Sequence, residues 1–586
     1  MSNSKSWRGC WTCRARRKKC DEAFPNCQTC SALLITCYYT AEKPVWFDNG
    51  PLQEEMVKTL KREVKEKAVM RRTLGYMREA DEAASTNPAN VSEGGQYTMA
   101  RRGADSAPQA MRQWAAEPGV DLDTLATQMK KVWPGCDAGF MSYYLDFFFP
   151  FLFPFYQPHM LHGGRSWLLE CMNEAEGMQQ ITMALSSYLF TIVLDAAEAG
   201  HEFCIRLNWD KLMAEMSNTF IRLSNDVSKL GRGYPDTPGK LSKAVRILGV
   251  ITHLHRFDVY TAGFTSRNTH INAAVQTFKH ILDIHDATPN LNVSSKFFDV
   301  MARMGPSPWP KPCDSYQITS PEQVAFRFFA TLLVADDIIA STSLGEAPRL
   351  HDYHADLLAN APEGESPVDL EVVLGCQNAI MLQVGEISAL AAWKRHQSSS
   401  NDLTLELTRR GDVINTAVQS HLASLQRPRQ TALDKRKRLL GLFNSWEDPS
   451  ARPTTQSRYV TQIWAHAALI YLLVTVHGFN QKRPEISKQV EHIIRLVNED
   501  LSSVSLIRTV VWPFCVAGCL AEPEQQHWFR RQVERLQPSG LFVTVRKSLE
   551  IMESVWEKRN SSEHADATIG DISGCFAATG EILFLI

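Results

Sequence analysis

The chain has 586 residues, 44% of them hydrophobic and 22% charged, with a formal net charge of −2. That length exceeds what one hydrophobic core organises, so two or more folding units are expected. A near-zero total charge selects no partner, and the opening MSNSKSWRGC lacks the apolar core of a secretory signal, which sets aside an extracellular disulfide framework.

The charge is unevenly spread. Residues 1–78 hold 16 Lys/Arg against 8 Asp/Glu, a net +8, and the rest hold 46 against 56, a net −10. A basic head on an acidic body is the footprint of a small nucleic-acid-binding module joined to a body that does not bind nucleic acid.

Near the start, Cys10, Cys13, Cys20, Cys27, Cys30 and Cys37 fall at spacings C-x2-C-x6-C-x6-C-x2-C-x6-C, two matching halves. Thiolates at close, repeated spacing bind a soft or borderline metal, and zinc is the one expected. One tetrahedral ion would leave two cysteines idle, and two ions need eight ligand positions. Six thiolates fill eight positions if two of them bridge, and Cys10 and Cys27, each the first of its half, are the expected bridges. A single four-cysteine site with two spare thiols is the alternative, but it leaves the repeat unused. Two zinc ions are therefore expected as cofactors. Six thiolates against two divalent ions leave a residual charge of minus two, which Arg14, Arg16, Arg17, Lys18 and Lys19 offset while presenting a positive face outward.

A short helix from about Cys13 is expected to carry Arg14–Lys19, with metal ligands at both ends fixing its direction. Its cations then enter the major groove, where Arg or Lys donating to guanine O6 and N7 is the commonest specific base contact. A nuclear-import signal is the bland reading of the same run, but import needs no paired metal site around it.

After EKPVWFDN, with Trp46 and Phe47, residues 51–77 are expected to form a helix with Pro51 in its first turn. Leu52, Met56, Leu60, Val64 and Ala68 form a stripe at i, i+4, and the 3-4 alternation of a coiled coil is not kept. Docking on its own protein is the favoured expectation for this helix, with homodimerisation the other. Residues 80–120 are small, polar and broken by Pro and Gly, a linker. From 121 to 586 the chain reads as helices separated by loops. Ser320–Ser341 opens with an N-cap serine and a proline, Ile463–Phe479 is apolar nearly all round, and Leu541–Trp556 keeps one apolar face. Strand alternation is scarce. LDFFFPFLFPFY, at 145–156, and the 463–479 segment fall short of a membrane span and are expected in a core.

The fold class expected is mainly α: a binuclear zinc-cluster module at 7–40, a basic junction and helix at 41–79, a linker at 80–120 and a large all-helical regulatory domain at 121–586. His253, His255, His270, His280, His285, His351 and His354 lack a full ligand set at metal spacing, and Cys515 and Cys519 sit among apolar neighbours as inert thiols. No P-loop, dinucleotide glycine pattern, G-x-S-x-G or H-E-x-x-H is present, so no catalytic site is expected.

The cysteine spacing, the basic run before Cys20, Asp21 after it and Pro25 between the halves resemble the fungal binuclear zinc-cluster transcription factors. SYYLDFFFPFLFPFY, AFRFFATLLVADDIIAS, GCQNAIMLQVGEISALAAWKR and WPFCVAGC resemble the helical regulatory domain of the subgroup that includes the yeast GABA-pathway activator and the acriflavine-sensitivity regulator. The resemblance implies reading of a CGG triplet by Arg17 and Lys18, Arg17 standing where many members have lysine. Arg8, Arg14, Arg16 and Lys19 fall to phosphate contacts, which position the module and make binding salt-dependent. It implies a nuclear regulator of RNA polymerase II genes in a metabolic or secondary-metabolite cluster. Its partners would be double-stranded DNA, the transcription machinery or co-regulators, a second copy, and a small-molecule effector, with no membrane. A zinc-dependent protein-interaction scaffold is the alternative, against which the cations between Cys13 and Cys20 speak.

Overall fold

The computed structural model describes residues 9–66, apart from 22–26, 39–42 and single positions between 32 and 49, and residues 136–577, apart from loop segments of which 427–451 is the longest. The chain divides into two compact units, Met1–Gln128 and Met129–Ile586. No strand occurs among the described residues.

In the first unit α1 spans Trp11–Ala15, α2 Gln28–Ser31 and α3 Pro51–Glu66. Asp48 starts α3: its Oδ1 accepts the Gly50 and Gln53 N–H groups at 2.8 and 3.1 Å, filling donors that a helix N-terminus leaves orphaned. The helix then returns to the cysteines. Leu60 is buried and Val64 packs on the cysteine cluster, whereas Leu52 is exposed. The described helix thus docks in its own unit through the second half of its stripe. The 67–77 part of the expected helix and the 80–120 linker lie outside the described residues.

In the second unit six helices close a packing circuit. These are α4 (Pro238–Thr261), α5 (Pro321–Leu344), α6 (Asn378–Arg395), α7 (Arg452–His477), α8 (Val511–Cys519) and α9 (Val543–Asn560), each packed on the next and α9 on α4. The sequence punctuates α5 at both ends. Ser320 Oγ accepts the Gln323 N–H (3.3 Å) while Gln323 Oε1 accepts the Ser320 N–H (2.8 Å), a capping box. Gly345 ends α5 at φ +67, a left-handed stop that favours glycine. Gly249 on α4 serves close approach: a Cβ there would stand 2.4 Å from the Phe329 ring of α5.

The core is one apolar cluster. Trp464 and Trp512 stack at 5.2 Å, and their indole N–H groups donate to Thr509 O and Thr342 Oγ1, so neither ring nitrogen is left unsatisfied. The 145–156 segment folds as a π-helical turn, Tyr144–Phe148, and a short helix, Phe149–Leu152. Phe149, Phe153 and Tyr156 are buried with Trp167 and Phe328, and Phe147 faces out at 63% exposure. Helices at 177–197 and 456–477 are long and apolar enough to cross a membrane. The expectation that the second falls short in length is corrected, because α7 begins at Arg452, well before the apolar run. Burial places it instead, with 72% of that stretch enclosed by the bundle. α9 likewise differs in its start, opening at Val543 after a short 3-10 turn over Ser539–Leu541.

One charged network crosses this core. Arg256 of α4 meets Asp336 of α5 at 2.5 Å, with side-chain exposures of 5% and 1%, and His255 Nε2 lies 3.7 Å from the other carboxylate oxygen. Burial raises Asp336 to about 7, against the lowering effect of Arg256. Asp337 accepts the Leu350 N–H at 2.8 Å and faces Arg349 at 3.5 Å, tying α5 to the turn that follows it. Removing one partner of such a pair strands the other. Arg256→Met is expected to destabilise the second unit by about 3–5 kcal/mol in denaturant unfolding followed by circular dichroism, and Arg256→Met with Asp336→Leu to recover much of that loss.

Candidate metal centre and nucleic-acid interface

The two halves of the cysteine repeat fold alike. Cys10 caps α1, its Sγ accepting the Cys13 N–H at 3.3 Å, and Cys27 accepts the Cys30 N–H at 3.4 Å. Cys20 Sγ accepts the Cys10 N–H at 3.4 Å, and Cys37 Sγ accepts the Cys27 N–H at 3.5 Å. Equal sequence spacing yields equal bonds. Asp21 links the halves, its Oδ1 accepting the Thr29 N–H at 3.3 Å, while Thr29 Oγ1 donates to Lys19 O at 3.2 Å.

This arrangement gathers two sets of four sulfurs, Cys10–Cys13–Cys20–Cys27 and Cys10–Cys27–Cys30–Cys37, each with all four ligand atoms within 4.8 Å of one another. Cys10 and Cys27 belong to both sets. The sulfur pairs Cys10–Cys27, Cys10–Cys30, Cys13–Cys27 and Cys13–Cys30 stand at 3.6, 3.7, 3.7 and 3.8 Å. Tetrahedral zinc with bonds of about 2.3 Å separates its sulfurs by about 3.8 Å, so the donor set fits zinc in type and spacing. Burial drives the Cys10 and Cys30 thiols well above the usual range and Cys13 up to about 11. Burial also opposes ionisation of Cys27, but hydrogen bonds from the Cys30 N–H and the neighbouring thiols bring it down to about 7. A bound cation supplies the positive charge that such crowded thiolates require.

The basic run leaves this frame differently from the sequence expectation of a helix through Lys19. α1 stops at Ala15, with Arg16 as its C-cap. Lys18 N–H donates to Cys13 O at 2.9 Å, Arg17 N–H to Arg14 O at 3.1 Å, and Arg17 sits at φ +55. This is a Schellman stop with arginine where glycine is usual. Arg17, Lys18 and Lys19 are exposed, and Arg14 and Arg16 are half-buried. Nη1 of Arg16 is buried with no hydrogen-bond partner among the described residues. Arg8 lies outside the described residues.

Sequence reasoning did not foresee Thr12, buried in α1 and accepting the Tyr38 N–H at 2.9 Å, or the rings that gather on Trp11. The nearest signal was the Trp46–Phe47 pair just after the cluster.

Elsewhere the described candidate residues assemble no metal-ligand set. His253 packs against Tyr144 Oη (3.3 Å) and Thr182 Oγ1 (3.5 Å), and burial lowers it to about 4. His351 pairs with Glu386 at 3.2 Å and His270 sits edge-on to Phe220; His285 is outside the described residues. Cys515 and Cys519 are fully buried, and Cys575, distant in sequence, joins them. Among the described residues, no third metal-ligand set forms beyond the two cysteine sets. A cavity of about 650 Å³ in the body is lined by Arg327, Asp369, Glu371 and His421 among others. Their polar atoms serve the fold. Arg327 donates to the Ser366 and Pro367 carbonyls, Asp369 caps a helix, Glu371 accepts from Ser457 and His421 pairs with Gln377.

Residues 139–571 match the fungal specific transcription factor domain. The chain belongs to that family. Residues 8–44 match the fungal Zn(2)-Cys(6) binuclear cluster domain. The chain is 32% identical to transcription factor dibT of Pestalotiopsis microspora, over 99% of each protein. It is 27% identical to the pestheic acid cluster transcriptional regulator 3 of Pestalotiopsis fici, over 98% of each. It is 23% identical to the ustiloxin B cluster transcription factor ustR of Aspergillus flavus, over 94% of this chain and 93% of that protein. No solved structure matches. This family member binds zinc and DNA and regulates transcription; it belongs to a class of regulators, not of enzymes.

The left-handed Arg17 carries a backbone cost of about 1 kcal/mol that glycine would not. Arg17→Gly is therefore expected to hold zinc as well as the native protein or better, by up to about 1 kcal/mol, and Arg17→Val to hold it less well, since a β-branched residue tolerates that region worst. Competition with a chelator reads both.

Proposed function

We propose that this protein is a nuclear, sequence-specific regulator of RNA polymerase II transcription that controls a biosynthetic gene cluster. Two zinc ions occupy the two four-sulfur sets. Cys13 and Cys20 complete one, Cys30 and Cys37 the other, and Cys10 and Cys27 bridge both. Arg17 and Lys18 donate to guanines of a CGG triplet in the major groove, while Arg8, Arg16 and Lys19 meet phosphates. The observation that carries this reading is the placement of three exposed cations, Arg17–Lys19, between the second and third cysteines of a frame whose sulfurs share two members. The cluster module covers 7–40 and its junction 41–79, a linker follows at 80–120, and the helical domain, 121–586, contacts co-regulators or the transcription machinery and receives any small-molecule effector.

The biosynthetic assignment draws on relatives that match nearly end to end, two of which carry the names of pestheic acid and ustiloxin B clusters. α3 supports binding without a coiled-coil partner, because Leu60 of its stripe is buried and Val64 is committed to the cysteine cluster.

Arg17→Ala with Lys18→Ala is expected to abolish preference for CGG-containing duplexes, since each good base contact contributes about 1–3 kcal/mol of discrimination. Unchanged preference would remove the base-reading assignment and leave a scaffold. Complete chelation should unfold the head and end DNA binding while the helical circular dichroism of the body persists. Binding that survived metal removal would overturn the reading as a whole.

A further inference from the structure

Arg14 is set apart from the other cations of its run. Its guanidinium carbon lies 4.1 Å from the centre of the Trp11 ring and 5.3 Å from that of Phe47, and those rings meet edge-on at 5.1 Å. The cluster continues through Trp46, 5.8 Å from Phe47, to Tyr38, 5.3 Å from Trp46. Two stretches of chain therefore meet at one guanidinium, α1 and the junction, and the segment after the sixth cysteine joins them through Tyr38 and Trp46. Backbone bonds reinforce the convergence, with Trp11 N–H donating to Tyr38 O at 2.8 Å and Tyr38 N–H to Thr12 Oγ1 at 2.9 Å. Phe47 directly precedes Asp48, which starts α3, and α3 returns to the cysteines at Val64. The junction thus straps the metal module from both sides, with Arg14 in the buckle.

We infer that Arg14 is a positioning residue for DNA reading: its guanidinium, packed over the Trp11 ring and against Phe47 where those two rings meet, reinforces the contact of α1 with the junction and so aims Arg17 and Lys18, and its contribution to affinity runs through those residues and not through a phosphate of its own. This inference rests on Arg17 and Lys18 as the base-reading pair. A planar guanidinium stacks on ring faces as an ammonium does not. A phosphate contact, by contrast, is a matter of charge, and each one lost lowers the dependence of log K on log salt by about 0.9.

The experiment uses the full-length, zinc-loaded protein and the duplex that the native protein itself selects from random DNA. Affinity is measured across a salt series, and zinc content is measured for each variant. Arg14→Ala, Arg14→Lys and Phe47→Leu are each expected to keep both zinc ions and weaken binding about tenfold, with the salt slope of Arg14→Ala unchanged. Arg14→Ala with Phe47→Leu should be no weaker than either alone, and Arg16→Ala should lower the slope. Three results would overturn the inference: Arg14→Lys binding like the native protein, Arg14→Ala lowering the slope by about 0.9, or losses that multiply in the double variant. Phe47→Leu leaves the charge in place, so it answers even if Arg14→Ala fails to retain metal. A native protein that selects no sequence would instead overturn the base-reading assignment, and this inference with it.

Discussion

Thiolate sulfurs packed 3.6–3.8 Å apart repel one another unless a divalent cation lies among them, and the structure of the head follows from that constraint. Among the described residues, the buried apolar set around the cysteines is four cysteines and Ile35, too little to organise a core. The metal supplies what the core cannot. Shared membership of Cys10 and Cys27 in both sulfur sets fixes the two halves relative to each other, and the matched N–H to sulfur bonds leave each half one way to close. α1 is aimed by this frame, since its cap residue is itself one of the shared cysteines.

The body is held by different physics. Its helices bury a continuous apolar cluster in which the Trp464 and Trp512 indoles find partners, and the buried ion pair Arg256–Asp336 links α4 to α5 where burial would otherwise isolate a carboxylate. Loss of metal and loss of a core residue therefore act on separate units.

The sequence made much of this legible, because spacing is information a metal site cannot hide. Six cysteines in two equal halves foreshadowed the two sulfur groups and the two cysteines common to both, and Ser320-Pro321 announced the start of α5. What stayed illegible depends on contacts between distant positions. Nothing local marks Arg17 as left-handed, since the residue usual there is glycine; the stop is imposed because Cys20 must swing back to the sulfurs. The apolar run at 463–479 concealed the eleven residues before it that belong to the same helix, whose mixed composition has no strong period. Cys575 shows no relation to Cys515 and Cys519 until the last helix folds against α9.

The basic run divides its labour along the same lines. Five cations in six positions look interchangeable in the sequence, yet the end of α1 separates them. Those within or capping the helix, Arg14 and Arg16, are drawn half into the protein, and those beyond the left-handed turn stand free. A left-handed arginine is a strained choice where glycine would serve the backbone better. Its retention is intelligible if the side chain at the turn is needed for what lies outside the module. Strain at Arg17 and stacking at Arg14 are then two halves of one arrangement, the first turning a cation outward and the second holding still the helix from which it turns.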